Sequence, residues 1–303
     1  MNVADLFRHN FLMQQKKYKP VLLDYILIAL IGGSVAYFYW QLQTELQYEW
    51  SWHLIPQFLM KHQNGSWAPN FLLEGFFTTI RLSVWATLLA IVVGTVMGLA
   101  RVSQSRFARL VSRTYVELVR NLPPIVLIFI SYFFLSAQLS QVLALDNVVQ
   151  DLPSWLHTVL AFFFSKPSQF VQFVTGVITL GLYEGAYITE IVRGGINSVH
   201  RGQWEASASL GFNRFDQLRL VILPQSLKVI IPPLAGQFIS TIKDSAILSV
   251  ISIQELTFQG IELMSSTYLI FEIWITITML YLMLTLGCSL LSRRVEHALQ
   301  WKE

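Results

Sequence analysis

The chain has 303 residues, of which 54% are hydrophobic and 13% charged, with a formal net charge of +3. A soluble domain carries about 25% charged residues, so this composition excludes a soluble enzyme or binding module and selects a polytopic membrane protein. The single cysteine, Cys288, excludes an internal disulfide and a cysteine metal cluster, and no nucleic-acid-binding signature is present.

Six stretches are long and apolar enough to cross about 30 Å of hydrocarbon: residues 21–40, 72–98, 118–137, 171–192, 229–252 and 268–291. Lys16, Lys17 and Lys19 precede the first, as they would in a signal peptide. Its apolar run exceeds the roughly 7–15 residues of a signal core, and it ends in "YFYW" with no small-residue cleavage site, so it is expected to remain as a helix. Residues 41–70 are Trp-rich (Trp50, Trp52, Trp67), which suits a membrane–water interface. Residues 138–170 contain "SWLHTVLAFFF", too short to span and expected to lie along the interface.

The basic residues fall on one side. Arg8, Lys16, Lys17 and Lys19 precede the first span, Arg101, Arg106, Arg109 and Arg113 follow the second, Arg201, Arg214, Arg219 and Lys228 follow the fourth, and Arg293, Arg294 and Lys302 follow the sixth. The alternate loops carry only Lys61 and Lys166. The positive-inside rule therefore predicts two cytoplasmic termini, with 41–70 and 138–170 outside. The chain divides into an N-terminal extension (1–70), a five-span core (71–292) and a cytoplasmic tail (293–303).

Between the fourth and fifth spans lies "EASASLGFNRFDQLRLVILPQ" (205–225). Ala206, Ser207, Ala208 and Ser209 allow close backbone approach, and Gly211 supplies the φ > 0 position that ends a helix. Phe215, Leu218 and Ile222 recur at helical spacing, and Pro224 is expected to close the second helix. The pattern is a cytoplasmic helix–turn–helix whose small-residue face either receives a partner or rests on lipid headgroups.

Glu205, Ala206, Gly211, Leu223 and Pro224 resemble the EAA motif of ABC importer permeases, with Ser207 where the third motif position is Ala and Val221 where Ile is usual. The blocks "FFTTIRLSVWATLLAIVVG", "YVELVRNLPP", "GAYITEIVRGGINSVHRGQWEA" and "ILPQSLKVIIPPLAGQFISTIKDSAILSV" are similar in order to the polar amino-acid branch, the histidine/glutamine permease-like family, over residues 71–292. The resemblance implies an all-α type I importer permease of the bacterial inner membrane. It also implies a second permease chain, identical or homologous, two ATP-binding subunits docked on the 203–225 loop, and an extracytoplasmic amino-acid-binding protein. No G-x-x-x-x-G-K-[ST] loop occurs in the chain. ATP and Mg are accordingly expected on the partner subunit, with no cofactor and no catalytic residue here.

Arg81, Glu184, Lys243 and Asp244 lie inside spans, where each unpaired charge costs about 2.5–3.5 kcal/mol. At 1.5 Å rise per residue, Arg81 and Asp244 fall at a similar depth, roughly 10–12 Å from the outer face, and Glu184 lies roughly 20 Å deep. Arg81 and Asp244 are thus level and able to pair. Tyr187 and Glu190 continue the face of Glu184, and Glu190–Arg193 and Glu117–Arg120 are expected as i,i+3 ion pairs. A zwitterionic amino acid needs both signs of charge, so Arg81, Glu184, Tyr187, Glu190, Lys243 and Asp244 are the candidate substrate path, with internal salt bridges as an equal reading. Gly181, Gly185, Pro232 and Pro233 either free backbone groups for a cavity or serve packing and kinks. The six histidines share no helical face and suggest no metal site. An ion-coupled secondary transporter would use the same charges but leaves the 205–225 hairpin unexplained, and an intramembrane enzyme would need a His, Ser or Asp constellation that is not visible.

Overall fold

A computed structural model describes residues 22–44, 48–63, 65–141 and 145–300. Arg8, Lys16, Lys17, Lys19 and Lys302 lie outside the described residues. Met1–Trp50 and Ser51–Glu303 form separate compact units. The first contains α1, Leu22–Thr44, whose exposed Leu22, Leu23, Tyr25 and Ile28 point to several sides, as on a helix immersed in lipid.

The second unit begins with α2 (Ile55–Leu59) and an antiparallel hairpin, β1 (Met60–Gln63) and β2 (Ser66–Pro69), turning at Gly65 with φ +77°. His62 stacks on Trp67, ring centroids 5.3 Å apart. This hairpin is the one departure from an all-helical chain among the described residues. The helices that follow are α3 (Phe71–Val102), α4 (Arg106–Asn121), α5 (Pro124–Gln141), α6 (Leu145–Gln150), α7 (Ser154–Phe163) and α8 (Phe170–Asn197). Then come α9 (Arg201–Ser209), α10 (Arg214–Asp216), a π-helical turn over Gln217–Ile222, α11 (Leu223–Asp244), α12 (Leu256–Thr267) and α13 (Ile270–Gln300).

Five helical segments are long and apolar enough to cross a membrane, and a sixth span arises if the bent pair α4–α5 is counted as one. The bend corrects the expected third span, 118–137. Pro123 and Pro124 lack amide donors, and Leu122 before them is extended (φ −91°, ψ 147°), so the helix breaks there and α5 leaves α4 at 115°. The α4 helix is amphipathic. Ser112 and Val116 are buried, Arg106, Arg109, Arg113, Glu117 and Arg120 are exposed, and Ser105 caps the helix by accepting from the Ala108 amide (3.3 Å).

The core is organised by the close crossing of α3 and α8. A Cβ on Gly94 would lie 2.5 Å from Ile188, and one on Gly98 would lie 2.7 Å from Val192. Gly181 and Gly185 meet Leu89 and Val93 from the other helix in the same way. Each helix thus carries a small-xxx-small stripe that lets two backbones approach, which is how spans associate where no hydrophobic drive exists between helices. Gly181 and Gly185 are therefore packing residues. Around this crossing, Leu82, Ala86, Leu180, Tyr183 and Leu248 form one buried cluster, and Ala90, Ile188, Val192, Ile222 and Ile230 form another. α11 runs unbroken through Pro232 and Pro233.

A buried carboxylate ties three helices together. Glu255 caps α12 by accepting from the Phe258 amide (2.8 Å), and it also accepts from the Tyr281 hydroxyl of α13 (2.8 Å) and the Thr79 hydroxyl of α3 (3.4 Å). These donors offset the desolvation of a fully buried acid.

Candidate functional site

Two polar stripes meet between α8 and α11. On α8, Glu184 is 0% exposed, and Tyr187 follows one turn later. On α11, Gln237, Thr241 and Asp244 recur at i, i+4 and i+7 and so share a face. Gln237 Nε2 donates to Glu184 Oε2 at 2.5 Å, while Glu184 Oε1 is buried with no hydrogen-bond partner among the described residues. The Asp244 carboxyl meets that of Glu184. Thr241, also close to Glu184, donates its hydroxyl hydrogen instead to the Gln237 carbonyl at 3.0 Å. The result is two neighbouring carboxyl groups, with one amide donor between the helices and no ion pair at Glu184 among the described residues. A positively charged group brought between them would favour their ionised forms.

The expected partners of Asp244 do not assemble around it. Arg81 bonds to the Phe77 carbonyl (3.2 Å), the Ala161 carbonyl and the Thr78 hydroxyl (3.2 Å), all outside the Glu184 site. Equal depth on two helices does not make two side chains face each other, and Arg81 points toward α7 rather than α11. Lys243 is exposed about 100° around α11 from Asp244, acting on it through space without forming an ion pair among the described residues. Asp244 is therefore the member of the expected charge set that joins Glu184.

Glu190 lies further along α8 and is held by two arginines, Arg193 at 2.6 Å and Arg101 at 3.5 Å. The i,i+3 pair with Arg193 forms; the second arginine comes from α3. Glu117 pairs with Arg113 at 2.7 Å, an i,i+4 pair on the exposed face of α4, and not with Arg120 as expected. Arg120 is freed to place its guanidinium 5.2 Å from the centre of the Tyr187 ring, a cation–π contact that brings a positive charge to the residue one turn from Glu184. Tyr187 in turn contacts the Tyr183 hydroxyl at 3.1 Å. Arg120 and Gln237 are the site residues that sequence reasoning missed. For Gln237 the signal was available in its spacing to Thr241 and Asp244. For Arg120 it was hidden by the break after Asn121.

The second candidate region is the loop between α8 and α11. His200 caps α9 by accepting from the Gly202 amide (3.1 Å), and Glu205 pairs with Arg201 on the exposed surface (3.1 Å). α9 ends at Gly211, φ +83°, where the Gly211 amide bonds to the Ala208 carbonyl (3.0 Å) and the Phe212 amide to the Ser207 carbonyl (3.2 Å). That is the paired hydrogen-bond closure that glycine permits at a helix C-terminus. Ala206, Ala208 and Ser209 are exposed, while Ser207 is buried.

The following stretch corrects the expected apolar stripe. The π-helical turn at Gln217–Ile222 adds a residue to the turn, so Phe215 is 68% exposed while Ile222 is fully buried. Leu210 is 75% exposed at the other side of the glycine. Leu223 and Pro224 occupy the first turn of α11, where proline needs no amide partner, so Pro224 opens the next helix and does not close the preceding one. Arg201, Trp204, Glu205, Ala208, Arg214 and Gln217 enclose a cavity of about 420 Å³ beside the hairpin.

Residues 86–300 match the family described as binding-protein-dependent transport system inner membrane component. The glutamine transport system permease protein GlnP of Escherichia coli (strain K12) is 32% identical over 257 residues, which are 84% of this chain and 99% of that protein. The glutamate/aspartate import permease protein GltJ of the same strain is 29% identical over 249 residues, covering 82% of this chain and 94% of GltJ. The crystal structure of an amino acid ABC transporter with histidines superposes with a TM-score of 0.57 at 30% identity, over 75% of this chain and 94% of that one.

Proposed function

Since this chain belongs to the family of binding-protein-dependent transport system inner membrane components, we propose that it passes a neutral or basic polar amino acid, glutamine foremost, along the Glu184–Asp244 site. It is the non-catalytic permease subunit of an amino-acid ABC importer and a multi-pass inner-membrane protein, with nucleotide bound by the ATPase partner. The observation that carries the substrate assignment is the contact of two carboxylates around the buried, unpartnered Oε1 of Glu184. A substrate ammonium satisfies that oxygen and favours the ionised form of the acid pair. Arg120, held over Tyr187, supplies the opposite sign for the substrate carboxylate. Glu190 is committed to its two arginines and borders the path without offering a free charge.

The same acid pair disfavours an acidic side chain, which would bring a further negative charge to the site. In proteoliposomes containing the full transporter, ATP-driven uptake of labelled glutamine should be competed by excess histidine or arginine and resisted by excess glutamate or aspartate. Competition by glutamate as effective as by glutamine would overturn the assignment.

The working assembly is two permease chains with two ATP-binding subunits beneath the 203–225 loop and an extracytoplasmic binding protein on the opposite face. In this reading residues 71–292 form the transport core and both termini are cytoplasmic, as the basic loops favour. With Cys288→Ser as background, an impermeant thiol reagent should label Ser66→Cys in intact cells and leave Asn213→Cys unlabelled until the membrane is opened. The reverse pattern would invert the topology.

A further inference from the structure

The departure of Arg81 from the expected ion pair places it in a cavity of about 830 Å³, walled by the β-hairpin, the start of α3 and the end of α7. Three cations line it, Lys61, Arg81 and Lys166, against a single carboxylate, Glu74. That carboxylate is already engaged with Lys166 at 2.6 Å. Arg81 is anchored only by uncharged acceptors on α3 and α7, so its charge is oriented but not neutralised by them. Gln259 lines the same cavity, is 4% exposed, and leaves its Oε1 buried without a partner among the described residues.

The apolar part of the cavity has a direction. Val84 lies one turn beyond Arg81, and the same exposed face of α3 continues as Leu88, Val92 and Val96, with no polar side chain in the stripe. Phe162 and Phe163 flank the opening and are exposed, and the Trp85 indole donates to the Phe163 carbonyl at 2.9 Å, fixing α7 against α3. A cationic chamber that opens onto a hydrocarbon-facing stripe has the chemistry of a lipid site. A free amino acid fits it poorly, because no carboxylate is left to receive an ammonium.

We infer that this cavity holds the headgroup of one phosphatidylglycerol, its phosphate on Arg81 and Lys166, its terminal hydroxyls toward Gln259, and its acyl chains along Val84, Leu88 and Val92. With the basic loops inside, the site belongs to the outer leaflet, distinct from the Glu184 path. A phosphate there supplies a direct anionic partner to an arginine that, among the described residues, bonds only to uncharged acceptors and has Glu74 as a more distant counter-charge.

Native mass spectrometry of the detergent-solubilised transporter complex tests this, with added palmitoyl-oleoyl phosphatidylglycerol compared with palmitoyl-oleoyl phosphatidylcholine. One phosphatidylglycerol per permease chain should be retained in preference to phosphatidylcholine. Lys166→Gln, at an exposed position that leaves the fold intact, should weaken retention about five-fold, as expected for one basic group near a membrane surface. Arg81→Gln should weaken it at least as much, and Glu74→Gln, which removes the opposing carboxylate, should strengthen it. Millimolar glycerol phosphate should not displace the lipid, because it lacks the acyl chains. Equal retention of the two lipids, unchanged retention in both cation variants, or displacement by glycerol phosphate would each overturn the proposal. So would a wild-type complex that retains no lipid, as when a protein segment fills the cavity.

Discussion

Replacing Glu184 by glutamine is expected to lower ATP-driven uptake per recovered complex by about tenfold to a hundredfold, because a hydrogen bond to a charged group contributes about 1.5–3 kcal/mol. Recovery of the complex should stay unchanged. The glutamine side chain has the same shape, and its carbonyl can still accept from Gln237, as the Glu184 carboxylate does. What disappears is an acid that a substrate ammonium can ionise and pair with, and removing one of two neighbouring buried acids does not destabilise the bundle. Asp244→Asn should behave alike, with lowered uptake and normal recovery. Arg81 keeps its own acceptors in that variant, the Phe77 carbonyl and the Thr78 hydroxyl. Uptake assays normalised to complex recovered by gel filtration separate the two effects. Wild-type uptake by Glu184→Gln would make the acid a packing residue and leave the substrate path without its anion.

What could be read in advance depended on whether it was encoded along one helix or between helices. Gly211 was legible because a single residue must take φ > 0 to close α9, and the composition of the preceding turn marked the helix end. The Glu190–Arg193 pair was legible because i,i+3 spacing places both groups on one surface of one helix. The partner of Arg81 was not, since depth is a one-dimensional coordinate and the facing direction of α3 is set by glycines packed against α8. A straight span over 118–137 offers Arg120 only Glu117 as a partner. Once the two prolines turn the chain through 115°, α4 carries it across to Tyr187. Phe215 escaped for a similar reason, because a 3.6-residue period puts it beside Ile222 and the π-helical turn does not. In the outer segment the Asn-Gly pair at 64–65 carries a two-residue turn signal, while Trp50, Trp52 and Trp67 equally suit a membrane surface.

Phe215→Asp and Leu210→Asp are each expected to reduce co-purification of the ATP-binding subunit by some thirtyfold, the effect of losing about 2 kcal/mol at an interface anchor. Both side chains stand largely exposed, on either side of Gly211, so neither contributes to the core and neither substitution should prevent insertion. Large apolar groups held out from a structured polar hairpin are the residues a partner's cleft would bury, and a buried carboxylate in their place has no counter-charge. Glu205→Lys adds a weaker effect. It sets a second cation against Arg201, now 3.1 Å from the carboxylate, on the surface that the small residues Ala206 and Ala208 leave open. Gly211→Val acts through the backbone, since a β-branched residue at φ +83° strains the turn by about 1–2 kcal/mol and shifts Leu210 relative to Phe215. Its signature should therefore differ. The ATP-binding subunit is retained in part, hydrolysis continues, and amino-acid uptake falls out of step with it. Affinity capture at fixed subunit concentration, together with paired hydrolysis and uptake rates, distinguishes lost docking from lost coupling. If Phe215→Asp and Leu210→Asp both retain the ATP-binding subunit and transport at wild-type rates, the hairpin is a lipid-surface element and the docking site lies elsewhere.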